Sequence, residues 1–302
     1  MSRGAPSHSP SWRAEALFIV KSSRPGFWLT AVWFYLLPLG QVRLLDSWAF
    51  WLGIAYTSFG LGFILYGWND LVDAETDRLN PRKDSFLFGA RGTPAQLARL
   101  PWQIVLVQVP FAVAFTWLEG PRMLGWFAAL ASATYLYNNL PPSGLKGRPP
   151  FELLNQLGYL LVFVLSSWLN HVPQLPWPTF VFGALFAMHS HLLGEVMDVA
   201  PDAAAGRRTT AVILGVRPSK FVVATVLVIE STLVLHYFKN VVIGAGLAAM
   251  AAWFVLDALV LWRDRHYTTP QMRLFLIGWN VIALASMVWI WRTAALSAVR
   301  LG

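Results

Sequence analysis

Nine stretches of this 302-residue chain are apolar over lengths that approach or reach a bilayer crossing: residues 26–41, 48–68, 102–118, 122–140, 151–170, 178–197, 219–238, 241–262 and 273–292. A spanning helix needs roughly 20 mostly apolar residues, because hydrocarbon gives the backbone no water to bond. No soluble core hides so many runs of that length. Composition agrees: 13% of residues are charged and the mean hydropathy is +0.52, whereas a soluble domain carries about 25% charged residues. The expected fold is an all-α, polytopic membrane helix bundle of about nine transmembrane helices, arranged as two four-helix halves plus one. Residues 1–24 are polar and basic and are expected to form a cytoplasmic N-terminal segment. Residues 25–302 then form a single transmembrane domain, surrounded by membrane lipids. The first apolar run carries no cleavage site of the signal-peptide kind.

The net charge of +8 would suggest nucleic acid in a soluble protein. In a membrane protein it follows from Lys and Arg collecting in cytoplasmic loops, so no nucleic-acid partner is expected. With the N-terminus placed in the cytoplasm, eighteen of the 23 Lys and Arg fall on the cytoplasmic side. With no cysteine in the chain, disulfides, iron–sulfur clusters and thiolate nucleophiles are excluded.

The few carboxylates are unevenly placed. Asp70, Asp73, Glu75, Asp77 and Asp84 follow the second run, and Glu195, Asp198 and Asp202 follow the sixth. Both groups fall on the cytoplasmic side, where the charge rule explains bases but not acids. Asp70, Asp73 and Asp77 stand at i, i+3 and i+7, as do Glu195, Asp198 and Asp202, so each set shares a helix face. Pro201 is expected to bend or end the second helix beside Asp202. Stacked carboxylates repel, and a cation must compensate them. Oxygen ligands without His or Cys favour Mg²⁺, Mn²⁺ or Ca²⁺, and Mg²⁺ is commonly held by a few carboxylates together with substrate phosphates. Asn69 offers an amide oxygen beside the first set. Arg82 and Lys83 in NPRK, Arg91, Lys146 and Arg148 in LPPSGLKGRP, and Arg207 and Arg208 in AGRRT can take phosphate oxygens that a metal leaves free; Lys83, Lys146, Arg148 and Arg208, with Asn69, are the expected diphosphate contacts. His189 and His191, at i and i+2, point to different faces and read as polar helix residues rather than a metal pair. Glu230 and Asp257 are isolated acids in late runs. The acids lie at helix ends beside basic loops, which weighs against a cation-coupled transporter with a mid-bilayer site.

Four segments resemble the UbiA superfamily of intramembrane prenyltransferases: SRPGFW (23–28), NDLVDAETD (69–77), YNNLPPSGLKGRP (137–149) and MDVAPDAAAGRRTTAVILG (197–215), in family order. The NPRKDS form after the first acid motif is closest to carotenoid-elongating members and UbiA-type terpene cyclases. The resemblance implies a nine-helix bundle, Mg²⁺ dependence and an isoprenyl diphosphate substrate. It makes Asn69, Asp70, Asp73, Asp77, Asp198 and Asp202 metal–diphosphate ligands and puts Tyr137 and Lys146 near the diphosphate. The implied reaction is prenyl transfer to a lipophilic acceptor, a polyene or carotenoid; cyclisation of geranylgeranyl or farnesyl diphosphate is the alternative. Glu195 has no assigned motif position.

Overall fold

The computed structural model describes residues 11–42, 44–141 and 144–298. They form helices α1 (Trp12–Ser22), α2 (Trp28–Leu36), α3 (Trp48–Val72), α4 (Ala74–Leu79), α5 (Pro94–Glu119), α6 (Arg122–Asn139), α7 (Phe151–Leu169), α8 (Trp177–Ala204), α9 (Thr210–Leu214), α10 (Val216–Phe238), α11 (Val241–Leu261) and α12 (Thr269–Thr293). The extended pairing among the described residues is one isolated bridge, Ser85 with Gly89. The helix bundle expected from the sequence is therefore present.

Among the described residues, helix length and apolarity account for seven of the nine expected spans. Seven helices, α3, α5, α7, α8, α10, α11 and α12, are long and apolar enough to cross a membrane. The first expected span is the nine-residue α2 flanked by two 3₁₀ turns, Pro25–Phe27 and Leu37–Leu39, with a proline in each. Proline removes a backbone donor and breaks the regular ladder. The fourth expected span is α6, whose 18 residues include Ser, Thr and Asn among the apolar ones.

The polar N-terminal segment carries structure as well. Ser11 caps α1, Phe18 is buried, and Glu15 accepts from Arg99 (2.9 Å) and Gln103 (2.6 Å) of α5. The helix thus lies along the bundle end where the acid motifs emerge.

The core is strongly aromatic. Phe34 stacks on Phe163 (5.1 Å), Trp33 stacks on Phe186 (5.3 Å), and Tyr56 meets Phe111, Phe115, Trp126 and Phe127 edge-on. Between helices this packing supplies the dispersion that lipid cannot replace by a hydrophobic drive. Buried polar pairs join the helices: Tyr56 to Gln108, His189 to Glu230 (2.8 Å), and Lys220 to Asp257 (3.0 Å). Outward faces of α5 and α12 remain apolar and exposed, with Leu106 and Leu274 both 70% accessible. These surfaces suit lipid.

Candidate active site

The two acid motifs meet at one end of the bundle. Asp73 closes α3, where its backbone leaves helical values (φ −94°, ψ 8°), and α4 resumes at Ala74. The ladder is not lost, since Asp73 N–H donates to Asn69 O and Asp77 N–H to Asp73 O, both at 2.8 Å. The motif's residues differ in what they face. Asn69, Asp73 and Asp77 line a cavity, whereas Asp70 turns away from it and is 2% exposed.

Asp70 is held by Arg24 Nη2 (3.0 Å) and Lys83 Nζ (2.6 Å). Arg24 comes from SRPGFW, in the left-handed region (φ 49°) just before Pro25, and its guanidinium lies 4.5 Å from the Tyr66 ring centre. The following Gly26 is required by close approach, because a Cβ there would meet Leu87 O at 2.8 Å.

The second motif stays helical through Pro201. α8 runs on to Ala204, and Asp202 is buried within it, so the helix does not end at Pro201. Asp198 and Asp202 line the same cavity as Asp73 and Asp77. The loops stitch the two motifs together. Asn80 Nδ2 donates to Asp198 (3.0 Å), Arg82 also donates to Asp198, and Lys83 reaches Asp77 (2.7 Å). Arg207 donates to Asp73 and stands 3.7 Å from Asp202. Lys146 donates to Asp73 and to Asn138 Oδ1 (3.0 Å). The turn that returns Lys146 to α6 needs Gly144 (φ 70°), where a side chain would strike the Tyr137 carbonyl.

Lys83, Lys146 and Tyr137 therefore sit at the cavity, as does Arg207. Arg148 instead donates to the Pro141 carbonyl, and Arg208 is exposed; neither lines the cavity. Adjacent residues on a turn face different ways, and spacing alone does not say which arginine points inward. Sequence reasoning also missed the partner roles of Arg24, Asn80 and Asn138. Their only signals were the Arg–Pro–Gly string before α2 and polar residues flanking the motifs.

Burial and charge set the acids apart. Burial raises the Asp73 carboxyl, but Lys146 and Arg207 outweigh it and hold it below the usual carboxylate range. The Asp77 carboxyl is pushed up to about 6, chiefly by burial; Lys83 pulls it back and Asp70 adds to the rise.

From this charged mouth the cavity, about 690 Å³, continues inward between Phe27, Tyr66, Tyr159, Phe34, Trp126, Phe186 and Trp279. The Tyr66 and Tyr159 hydroxyls share a hydrogen bond (2.8 Å) part-way down. One compartment thus joins an ionic end to an aromatic one.

The family model of the UbiA prenyltransferases matches residues 26–281. The chain belongs to the UbiA prenyltransferase family. Together with its seven spanning-length helices, this makes it an integral membrane protein and an enzyme of the prenyltransferase kind. It is 27% identical over 260 residues to a lycopene elongase/hydratase of Corynebacterium glutamicum, covering 84% of this chain and 88% of that one. It is 32% identical over 205 residues to a lycopene elongase/hydratase of Haloarcula japonica, covering 66% and 67% respectively. The fold matches a UbiA homologue from Archaeoglobus fulgidus, solved bound to DMAPP and Mg²⁺, with a TM-score of 0.68 at 18% identity over 90% of this chain and 97% of that one.

Proposed function

We propose that this UbiA-family chain is a Mg²⁺-dependent intramembrane prenyltransferase that ionises an isoprenyl diphosphate and transfers the allylic group to a lipophilic acceptor of the polyene or carotenoid class. The observation that carries this reading is the single cavity, with facing acid motifs and their cations at one end and aromatic walls at the other. The lycopene elongase/hydratase relatives support the acceptor class, and the DMAPP and Mg²⁺ bound to the Archaeoglobus homologue support donor and metal. The bias of Lys and Arg supports a cytoplasmic N-terminus and cavity mouth.

The donor set fits Mg²⁺. It is all oxygen: Asn69, Asp73, Asp77, Asp198 and Asp202 line the mouth. Among the described residues no three of His, Asp and Glu are gathered into a metal cage. That suits a metal taken up with substrate phosphates and waters rather than by protein alone. When bound, Mg²⁺ neutralises charge on the departing diphosphate. Lys83, Lys146, Arg82 and Arg207, which now pair with the acids, are the groups within reach of phosphate oxygens. Asp70, sealed under Arg24 and Lys83, positions those two cations and is not assigned to the metal. The aromatic walls exclude water and present π-faces to the allylic cation.

The test is diphosphate release and product analysis on purified protein in detergent or nanodiscs, with Mg²⁺, prenyl diphosphates of several lengths, and lycopene present or absent. An acceptor-dependent adduct is expected. A cyclic hydrocarbon formed without acceptor would replace transfer by cyclisation, and no diphosphate release with any donor would refute both.

A further inference from the structure

Transfer to an alkene leaves a positive charge on the acceptor, and the reaction ends only when a proton is removed. The carboxylates at the mouth are engaged by Lys and Arg, with Asp73, Asp77 and Asp198 each in an ion pair. Among the described residues that line the cavity away from those pairs, the imidazole is His191, alongside Glu195 and the phenols of Tyr66, Tyr137 and Tyr159. It lies on α8 seven residues before Asp198, which is about 10 Å deeper along the helix. Glu195 and Asp198 follow it at i+4 and i+7, so the stripe runs from the acid mouth toward the aromatic end.

The imidazole is oriented on one side. Its Nε2 stands 3.3 Å from the Tyr137 hydroxyl and 3.4 Å from Glu195 Oε1. The Tyr137 ring meets the imidazole edge-on at 5.8 Å. Glu195 is itself fixed, because Oε2 accepts from the Ala211 N–H (3.1 Å) at the start of α9, while buried Oε1 has no hydrogen-bond donor of its own. Among the described residues Nδ1 of His191 takes no hydrogen bond, and the ring lines the cavity. In the tautomer that carries its proton on Nε2, between the Tyr137 hydroxyl and Glu195, Nδ1 is the nitrogen able to accept a proton. His189, two residues earlier, is spent differently: it is 2% exposed and bonded to Glu230 outside the cavity.

We propose that His191, oriented by Glu195 and Tyr137, is the base that ends the reaction. The inference rests on the prenyl-transfer reading above. The C–O electron pair leaves with diphosphate, and the acceptor's π pair forms the new C–C bond. His191 Nδ1 takes a proton from the carbon next to the resulting cation, and the freed C–H pair becomes a C=C bond. Where water adds instead, its oxygen supplies the pair and the same nitrogen takes its proton. Glu195 is a positioning residue in either course.

The test measures diphosphate released and prenylated product separately, with dimethylallyl diphosphate, lycopene and Mg²⁺, for wild type, His191→Gln and Glu195→Gln. General-base loss is expected to lower product about 100-fold in His191→Gln. Diphosphate released per product should rise, and added imidazole should restore part of the product. Glu195→Gln should shift the same ratio by a smaller factor. A wild-type ratio in His191→Gln overturns the proposal, and so does a parallel loss of diphosphate and product, which would place His191 in donor binding. Mg²⁺-dependent pyrophosphate binding checks the fold of each variant; if His191→Gln does not fold, an unchanged ratio in Glu195→Gln overturns the proposal. Wild-type protein that releases no diphosphate refutes the prenyl-transfer reading, and this proposal with it.

Discussion

Asp70 and Asp73 are three residues apart in one motif, and the structure gives them different partners. Asp70→Asn keeps the side chain's shape and removes its charge. Arg24 then loses its 3.0 Å partner and keeps only the Tyr66 ring; Lys83 loses a 2.6 Å contact but keeps Asp77 at 2.7 Å. Hydrogen bonds to charged groups contribute ~1.5–3 kcal/mol each. With two lost, Lys83 still paired and the asparagine oxygen able to accept, the variant should be destabilised by about 2–4 kcal/mol. For a chain of this size that is a fall in Tm of roughly 5–10 °C. Turnover per folded molecule should fall less than about tenfold, because the charged groups that face the cavity remain. Asp73→Asn should lower turnover about 100-fold or more, on the scale of losing one preorganised electrostatic contact. Thermal unfolding in detergent, followed by size-exclusion fluorescence, gives the first number. Diphosphate release normalised to folded protein gives the second. If Asp70→Asn kept the wild-type Tm and lost turnover as fully as Asp73→Asn, the division of the motif would be wrong.

Arg207→Gln should reduce diphosphate release at least about tenfold while Arg208→Gln stays within about twofold, since only Arg207 touches Asp73 and the cavity; equal effects would mean that the cavity-facing arginine is misassigned. Chelation should abolish diphosphate release, and Mg²⁺ should restore it; Mg²⁺ and pyrophosphate should each tighten binding of the other by the same factor, read by calorimetry. Lys220→Met should cost about 3–5 kcal/mol, because it strands fully buried Asp257 with Tyr267 alone, and Lys220→Met/Asp257→Leu should recover most of the lost Tm. Activity per folded molecule should stay near wild type in both, since neither residue lines the cavity.

The helix bundle was legible because apolar runs of spanning length leave little choice, and the acid motifs because carboxylates are rare elsewhere in the chain. That the motifs face each other follows from their equivalent places at the ends of α3 and α8. Three things escaped. The break at Asp73 follows from backbone values that no spacing encodes, and the burial of Asp70 under Arg24 and Lys83 depends on loop residues far from it in sequence. The cations sit in irregular loops, which have no period, so Arg207 could not be told from Arg208, nor the reach of Arg82 to Asp198 foreseen. Helix α1 was hidden because Glu15, Lys21 and the neighbouring polar residues mask an apolar side only wide enough to bury Phe18. Glu195 carried no readable role because its partner, the Ala211 N–H, belongs to the short helix of the TTAVIL segment.

The same pattern explains why donor and metal should bind together. Six carboxylates gather at or beside the mouth: Asp70, Asp73, Asp77, Glu195, Asp198 and Asp202. Five cations are set among them: Arg24, Arg82, Lys83, Lys146 and Arg207. The site is thus close to neutral by itself. A diphosphate arriving alone adds about three negative charges beside acids already turned to the cavity, and each close like pair costs ~4 kcal/mol at the effective dielectric of a protein surface. A divalent ion arriving alone meets carboxylates that Lys and Arg already neutralise. Together the two would cancel most of their charge, with the acids free to hold the ion and Lys83, Lys146, Arg82 and Arg207 free to hold phosphate oxygens. On the proposed reading the acids and bases would act as exchangeable partners, and reciprocal tightening of Mg²⁺ and pyrophosphate is its expected consequence.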